Sequence, residues 1–356
     1  MTTTLVENLP HITATGVIIK AVLILAIISA LAGFGTFIER KVLAFMQRRL
    51  GPMHVGPYGI LQIAADGIKL FTKEDIIPQN ANSFIFKIAP VITAATAFIA
   101  LSSVPVFPDF TIPELFRLPE WFPIFGGVML GDVFVPSIAS DLNIGILFVL
   151  GMMAAGLYGP LLAGMSQANK WGIIGASRTA VQFLSYEVVT GLSILAPIML
   201  VGSLSFVDFN NYQMEEGVWM VVYQPVAFVL FLIAGFAETN RTPFDLLEHE
   251  AEVVSGYATE YSGMRWGMFF IGEYANMITI SIITAVVFLG GYDSACTLGW
   301  LFMILKVAFT FFLMLWVRAS WPHVRPDQLM WLCWKVLMPL AVVNILITAT
   351  VVMLLN

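Results

Sequence analysis

Residues Thr179 to Val201 read TAVQFLSYEVVTGLSILAPIMLV, 23 residues in which Glu187 is the one charged side chain. A helix crosses the hydrocarbon core of a bilayer in about 20 mostly apolar residues. Inside lipid, only a helix or a closed barrel satisfies every backbone N–H and C=O. The apolar residues here run on without the period-two alternation of a barrel strand. The stretch therefore predicts a membrane-spanning helix.

Outward from it, seven further runs have the same character, giving expected spans at 16–38, 84–106, 142–165, 179–201, 218–237, 268–291, 298–318 and 333–355. The composition agrees: 59% of the 356 residues are hydrophobic and 11% charged, against about 25% charged in a soluble domain. The expected fold is an all-α integral membrane protein of about eight transmembrane helices in a single membrane domain, 1–356. The fifteen residues before the first run contain no basic n-region, so that run is expected to stay as helix one rather than act as a signal peptide.

Positive residues in short loops mark the cytoplasmic side. Fourteen of the seventeen Lys and Arg residues fall on one side under this topology. The cytoplasmic loops are then 39–83, 166–178, 238–267 and 319–332, and both termini face outward. Cys296 and Cys333 fall beside opposite membrane faces and do not pair; no CxxC or Cys/His cluster offers a zinc or iron–sulfur site. His11, His54, His249 and His323 stand singly. No GxGxxG or P-loop is present, so the chain has no nucleotide-binding fingerprint and does not oxidise NADH by itself.

Three segments look like more than connectors. In loop 39–83, Pro and Gly between Gly51 and Gly59 force an irregular turn region. In the following stretch Ile60 to Lys73, Gln62, Asp66, Lys69 and Lys73 recur at helical spacing among apolar residues. An amphipathic interfacial helix is expected there; a simple surface anchor has the same composition. Loop 238–267 gathers Glu238, Asp245, Glu248, Glu250, Glu252 and Glu260 against Arg241. On a helix, Asp245, Glu248 and Glu252 would share a face, where like charges repel; a solvated acidic face is the alternative. The outer segment 107–141 carries a short apolar piece, Trp121 to Val135, expected to be a re-entrant or packed outer helix rather than a ninth span.

Charges inside spans cost about 2.5 to 3.5 kcal/mol near the bilayer centre, so they face protein or water and are candidates for function. Glu187, Glu273 and Lys306 qualify. At 1.5 Å per residue, Glu273 lies about 8 Å and Glu187 about 13 Å from the cytoplasmic helix ends, with Lys306 near mid-depth. With the acidic loop they describe an inward path; buried ion pairs such as Glu187 with Lys306 are the structural alternative.

Two long stretches add a resemblance. GPMHVGPYGILQIAADGIKLFTKEDIIP (Gly51 to Pro78) and AETNRTPFDLLEHEAEVVSGYATEYSGMRWGMFFIGEY (Ala237 to Tyr274) closely resemble the signatures of the H subunit of NADH-quinone oxidoreductase, respiratory complex I, the family that includes mitochondrial NADH dehydrogenase subunit 1. ERK at Glu39 to Lys41, SYE at Ser185 to Glu187 and WVRASWPHVRPDQLM at Trp316 to Met330 also fit. The resemblance implies a membrane subunit that walls part of a quinone chamber, with ubiquinone or a related quinone as substrate and proton translocation coupled to its reduction. FMN and iron–sulfur clusters would sit in partner subunits, and this chain would bind no cofactor, hold no metal and carry no complete catalytic site. Partners would be the other membrane-arm subunits and the peripheral-arm subunits at the quinone site, and the location a bacterial inner membrane with periplasmic termini.

By matching position, Glu39, Arg40, Asp66, Lys69, Arg241 and Asp245 would line the chamber. Glu187, Glu238, Glu248, Glu250, Glu252 and Glu273 would form an acidic route for proton coupling, to which depth adds Lys306. Met53, His54, Leu247, His249 and Pro326 depart from the common family pattern and bear on chamber geometry. Alternatives are the homologous subunit of a membrane-bound hydrogenase complex, a stand-alone secondary transporter, for which repeat symmetry would be expected, and a passive membrane anchor.

Overall fold

The computed structural model describes residues 14–104, 110–111, 134–135, 142–247, 250–292 and 299–355. Among the described residues the regular structure is helical apart from one antiparallel pair of two-residue strands, β1 (Phe110–Thr111) and β2 (Phe134–Val135). The remainder of 107–141 lies outside the described residues. That includes the expected outer helix from Trp121 through Val133; its last two residues belong to β2.

Helices occupy every apolar run: α1 (Ala14–Met46), α3 (Ser83–Ser102), α4 (Gly145–Gly156) followed by α5 (Tyr158–Ser166), α6 (Lys170–Val201), α9 (Pro225–Glu238), α11 (Gly263–Val287), α12 (Gly299–Ser320) and α14 (Met338–Leu355). Shorter helices connect them: α2 (Gln62–Thr72), α7 (Phe206–Glu216), α8 (Met220–Tyr223), α10 (Glu250–Val253) and α13 (Pro326–Leu332). Among the described residues six helical segments are long and apolar enough to cross a membrane: Ser83–Ser102, Gly145–Ser166, Lys170–Val201, Gly263–Val287, Leu301–Ser320 and Pro326–Leu354. The count of eight thus stands at six by this measure. The fifth run is divided into α8 and the 14-residue α9. Pro225 has no N–H to give a preceding helical turn, and the helix restarts there. Gln224, at the break, is bound sideways to the last helix: its Nε2 donates to Thr348 Oγ1 (2.9 Å), and Asn344 Nδ2 donates to its Oε1 (2.9 Å).

Two helices organise the bundle. α11 packs against α3, α12 and α1, and α6 against α5, α9 and α14. α11 is the most enclosed candidate span, with 83% of its apolar window buried, which suits a helix that is apolar on all sides. Its hydroxyl groups turn back on their own backbone, Thr279 to Ala275 O, Ser281 to Met277 O and Thr284 to Ile280 O at 2.7–2.8 Å. These donors therefore need no water in the core. Gly272 lets α11 touch α3: a Cβ there would lie 2.9 Å from Thr93 Cγ2.

The irregular stretch after α1 ends in α2, the expected amphipathic helix, which packs on α1 and α11. None of its residues is fully buried, and Ile68 and Phe71 present their apolar side chains outward. The acidic loop differs from expectation. Residues 241–247 turn instead of forming a helix, residues 248–249 lie outside the description, and α10 is a single turn. Asp245 and Glu252 therefore do not share a continuous helix. Pro243 contributes to this, since it has no N–H for a helical bond and disfavours helical backbone in the residue before it, and the turn it sits in is buried, with Phe244, Leu246 and Leu247 among its inward side chains.

The last helix begins with α13 and passes through one π turn, Cys333–Leu337, before α14. Pro339 accounts for the widened turn, since its ring removes a donor and crowds the carbonyl four residues back. Cys333 is a free, buried thiol.

Candidate functional site

Where α1, α11 and α12 meet, four charged side chains converge, three of them buried and Arg318 partly accessible. Glu39 comes from α1, Glu273 from α11, Arg318 from α12 and Arg241 from the turn after α9. Arg241 reaches Glu273 Oε2 at 3.2 Å and Glu39 Oε1 at 3.8 Å, and Arg318 pairs with the same Glu39 oxygen. The other Glu39 oxygen accepts from the Tyr274 hydroxyl at 2.8 Å, and Glu273 Oε1 accepts from the Tyr257 hydroxyl at 3.1 Å. The Arg241 guanidinium lies 4.5 Å from the centre of the Tyr274 ring, within cation–π range. Two acids and two guanidinium groups balance in formal charge. Buried charges persist only when paired and hydrogen-bonded in this way.

Local sequence explains the convergence. Glu273 and Tyr274 are adjacent on α11, about 100° apart around the helix, so one helix supplies both an anion for Arg241 and a donor for Glu39. Arg241 is placed by the α9 terminus, where Gln182 Nε2 of α6 binds Ala237 O (2.7 Å) and Asn240 Oδ1 (3.0 Å). Asn240 holds a left-handed backbone, φ 52°, a conformation that Asn tolerates better than most residues.

An apolar hollow of about 540 Å³ adjoins the cluster between α1, α11 and α12. Leu31, Phe34, Gly35, Ile278, Ile282 and Phe311 are among its walls. Gly35 joins the two regions, because a Cβ there would stand 3.2 Å from the Tyr274 ring. None of the cluster's charged residues is among the walls, and Leu31 and Phe34 are exposed, so the hollow is an open apolar slot that reaches the cluster through Gly35 and the Tyr274 ring.

On the far side of α1, Arg40 binds Asp66 Oδ2 of α2 at 2.5 Å, and Gln62 donates to Asp66 Oδ1 at 2.9 Å. Neighbouring Lys69 is exposed. The structure thus brings together Glu39, Arg241 and Glu273, and separately Arg40 and Asp66. It leaves Asp245 half-buried apart from either group. Glu238, at the C-terminal end of α9, is buried, and its electrostatic neighbours are Tyr186 and Glu187 of α6. Glu187 itself is on an exposed face of α6, beside exposed Leu184 and Val188. Lys306 is elsewhere: its Nζ donates to Gly291 O (2.9 Å) and stands 5.0 Å from the Trp219 ring. Glu252 pairs with Arg178 at 2.6 Å. Glu248 lies outside the described residues, as does the side chain of Glu250.

Sequence patterning does not single out Arg318, Tyr257 or Tyr274 as site residues. Arg318 carries a signal, as a charge closing an otherwise apolar run; the tyrosines have only their place beside charged residues. Behind the cluster Tyr261 stacks on Phe86 at 4.0 Å and donates to Phe86 O at 3.0 Å. Burial pushes its phenol up to about 12, the nearby Ser166 and Arg265 pulling it back only in part, so it remains a neutral donor. Among the described residues no three His, Cys, Asp or Glu side chains gather as metal ligands.

A family profile described as NADH dehydrogenase matches residues 19–349. The chain is 68% identical to the H subunit of an NADH-quinone oxidoreductase from a Nitratiruptor species, over 94% of this chain and 96% of that one. It is 64% identical to the H subunit from Wolinella succinogenes, over 97% and 99%. The corresponding figure for a Helicobacter pylori relative is 53%, over 94% and 97%.

Proposed function

The chain belongs to the NADH dehydrogenase family as the H subunit of an NADH-quinone oxidoreductase, a membrane component of complex I, and from that premise we propose that its inner face forms part of the quinone chamber and begins the acidic route to proton translocation. The complex carries out NADH:quinone oxidoreduction, and this subunit contributes to it without a complete active site of its own. The observation that carries the reading is the apolar hollow abutting the Glu39–Arg318–Tyr274–Arg241–Glu273 cluster. A quinone has a head group that accepts hydrogen bonds and an isoprenoid tail that needs an apolar slot. Arg241, Arg318 and Tyr274 are donors suited to the reduced or partly reduced head. Arg40 and Asp66 tie α2 over the same inner face, with Lys69 and Asp245 at its margin.

Quinone reduction draws in protons, and the buried carboxylates are the groups to pass the charge change onward. In this reading Glu273 is the first acid, Glu238 the second and Glu187 the exit, with Glu248 and Glu250 at the loop entrance. The exposed face of Glu187 fits an exit. A charge on a membrane-spanning helix is costly against lipid, so that face meets a partner membrane-arm subunit. Lys306, bound at the other ends of the helices, would act at a later point of the path. Electrons would come from FMN and iron–sulfur clusters of peripheral-arm partners. α1 and the α8–α9 pair would complete eight crossings in a bacterial inner membrane, with both termini periplasmic, the topology that the distribution of Lys and Arg favours.

A photoreactive quinone analogue applied to the assembled complex tests the reading. Labelling is expected on residues 34–41, on α2 or on 238–274. Labels confined to other subunits would remove quinone contact from this chain.

A further inference from the structure

The first turns of α6 and the turn that precedes it grip the acidic loop at successive levels. Asn169 Nδ2 donates to Glu260 Oε1 at 2.9 Å, and Gln167 Nε2 donates to Tyr257 O. Gly175 admits the loop backbone so closely that a Cβ would lie 2.8 Å from Tyr257 N. Arg178 Nη1 pairs with Glu252 Oε2 at 2.6 Å, and Gln182 holds Ala237 and Asn240. Of these grips only the ion pair has an exposed partner: the side chains of Arg178 and Glu252 are 21% and 42% accessible. It is the grip with which water competes.

Between that pair and Tyr257 the chain is strained. Val254 has φ 65°, a left-handed conformation that a β-branched side chain adopts at a cost. Gly256 follows at φ 49°, where a Cβ would meet Leu247 O at 1.8 Å. Such a turn persists only if its flanks are held. The held element reaches the polar cluster, because the hydroxyl of Tyr257 donates to Glu273.

We propose that Arg178 is a positioning residue that latches this strained turn to α6 through Glu252, and that Glu252 serves as the anchor of the loop rather than as a proton carrier. With the latch closed, Tyr257 stays seated on Glu273. With it open, the turn relaxes and Glu273 loses the Tyr257 hydroxyl while keeping Arg241. The functional consequence rests on the complex I reading above; the mechanical one does not.

The test uses the assembled complex with Arg178→Gln, Glu252→Gln, the double variant, and the exchanged pair Arg178→Glu with Glu252→Arg. Hydrogen exchange of backbone amides 250–257 reads the latch whether or not quinone binds here. Either single variant is expected to speed that exchange about threefold, the scale of one partly exposed ion pair, and to lower quinone turnover with the protons moved per electron unchanged. The double variant should be no worse than either single, and the exchanged pair should restore both readouts. Additive effects, or unaltered exchange, would overturn the latch. So would Glu252→Gln lowering protons per electron while Arg178→Gln leaves that ratio intact, since Glu252 would then carry protons itself. Photolabels confined to other subunits, with these exchange results intact, would instead overturn only the chamber reading.

Discussion

Glu39→Gln changes one atom type and almost no volume, so its effect isolates the charge at the centre of the cluster. Glu39 serves two guanidinium groups and one phenol. The amide oxygen of Gln still accepts from Tyr274, and that bond survives. What disappears is the anion between Arg318 and Arg241, so a cluster balanced in formal charge becomes positive by one. Removing one partner of a buried pair costs about 3–5 kcal/mol. The lower end applies here for two reasons: the Arg318 side chain is 26% accessible and recovers some hydration, and Arg241 keeps Glu273 at 3.2 Å. About 3 kcal/mol corresponds to a factor of roughly 100 in the equilibrium that holds α12 against α1. The assay is retention of the subunit in the complex after graded heating, read by native gel and immunoblot. Glu39→Gln should disassemble at distinctly lower temperature than the parent. Adding Arg318→Met restores the charge balance and should recover much of the loss, a coupling of about 1–3 kcal/mol. Heat resistance equal to the parent in the single variant, or a double variant worse than the single, would refute the assignment of Glu39 as the shared anion.

Other outcomes follow from separate features. Glu187→Gln should assemble normally, because Gln keeps the volume and hydrogen-bonding capacity of Glu on the partner-facing surface, yet sharply reduce quinone-reductase and proton-pumping rates; parental rates in the assembled variant would sink the exit role. Asp66→Asn should cost under about 1 kcal/mol in stability, as the Arg40 pair is solvent-accessible, while raising the KM for quinone more than it lowers kcat; an unchanged KM would detach α2 from the chamber. Gly272→Ala should destabilise by about 1–3 kcal/mol through overpacking against Thr93. Thr93→Ser, which removes the crowding methyl, should partly rescue it in the same heating assay.

The legible part of this protein is what one-dimensional pattern encodes. Apolar runs predict helices because burial in lipid is decided residue by residue, and every run holds a helix. The alternation of Gln62, Asp66 and Lys69 with apolar neighbours locates α2 within two residues. The break at Pro225 is written in the sequence too, but the apolar character around it masks the interruption of the helix. The acidic loop is less readable: Asp245 to Glu252 has helical spacing, yet residues 241–247 fold into a buried turn containing Pro243, whose missing N–H the charge spacing does not reveal.

Membership in the membrane class, the chemistry of each helix and the presence of Glu39, Arg241 and Glu273 were thus determined by the sequence alone. Only the tertiary structure decided that Arg318 shares Glu39 with Arg241, that Tyr257 and Tyr274 complete the cluster, that Glu187 faces outward, and that Lys306 donates to the Gly291 carbonyl beside Trp219. The physical reason is rotation and register. Depth along a helix follows from counting residues at 1.5 Å each, but the neighbour a side chain meets depends on how helices cross and turn about their axes, which is set by packing across the whole bundle.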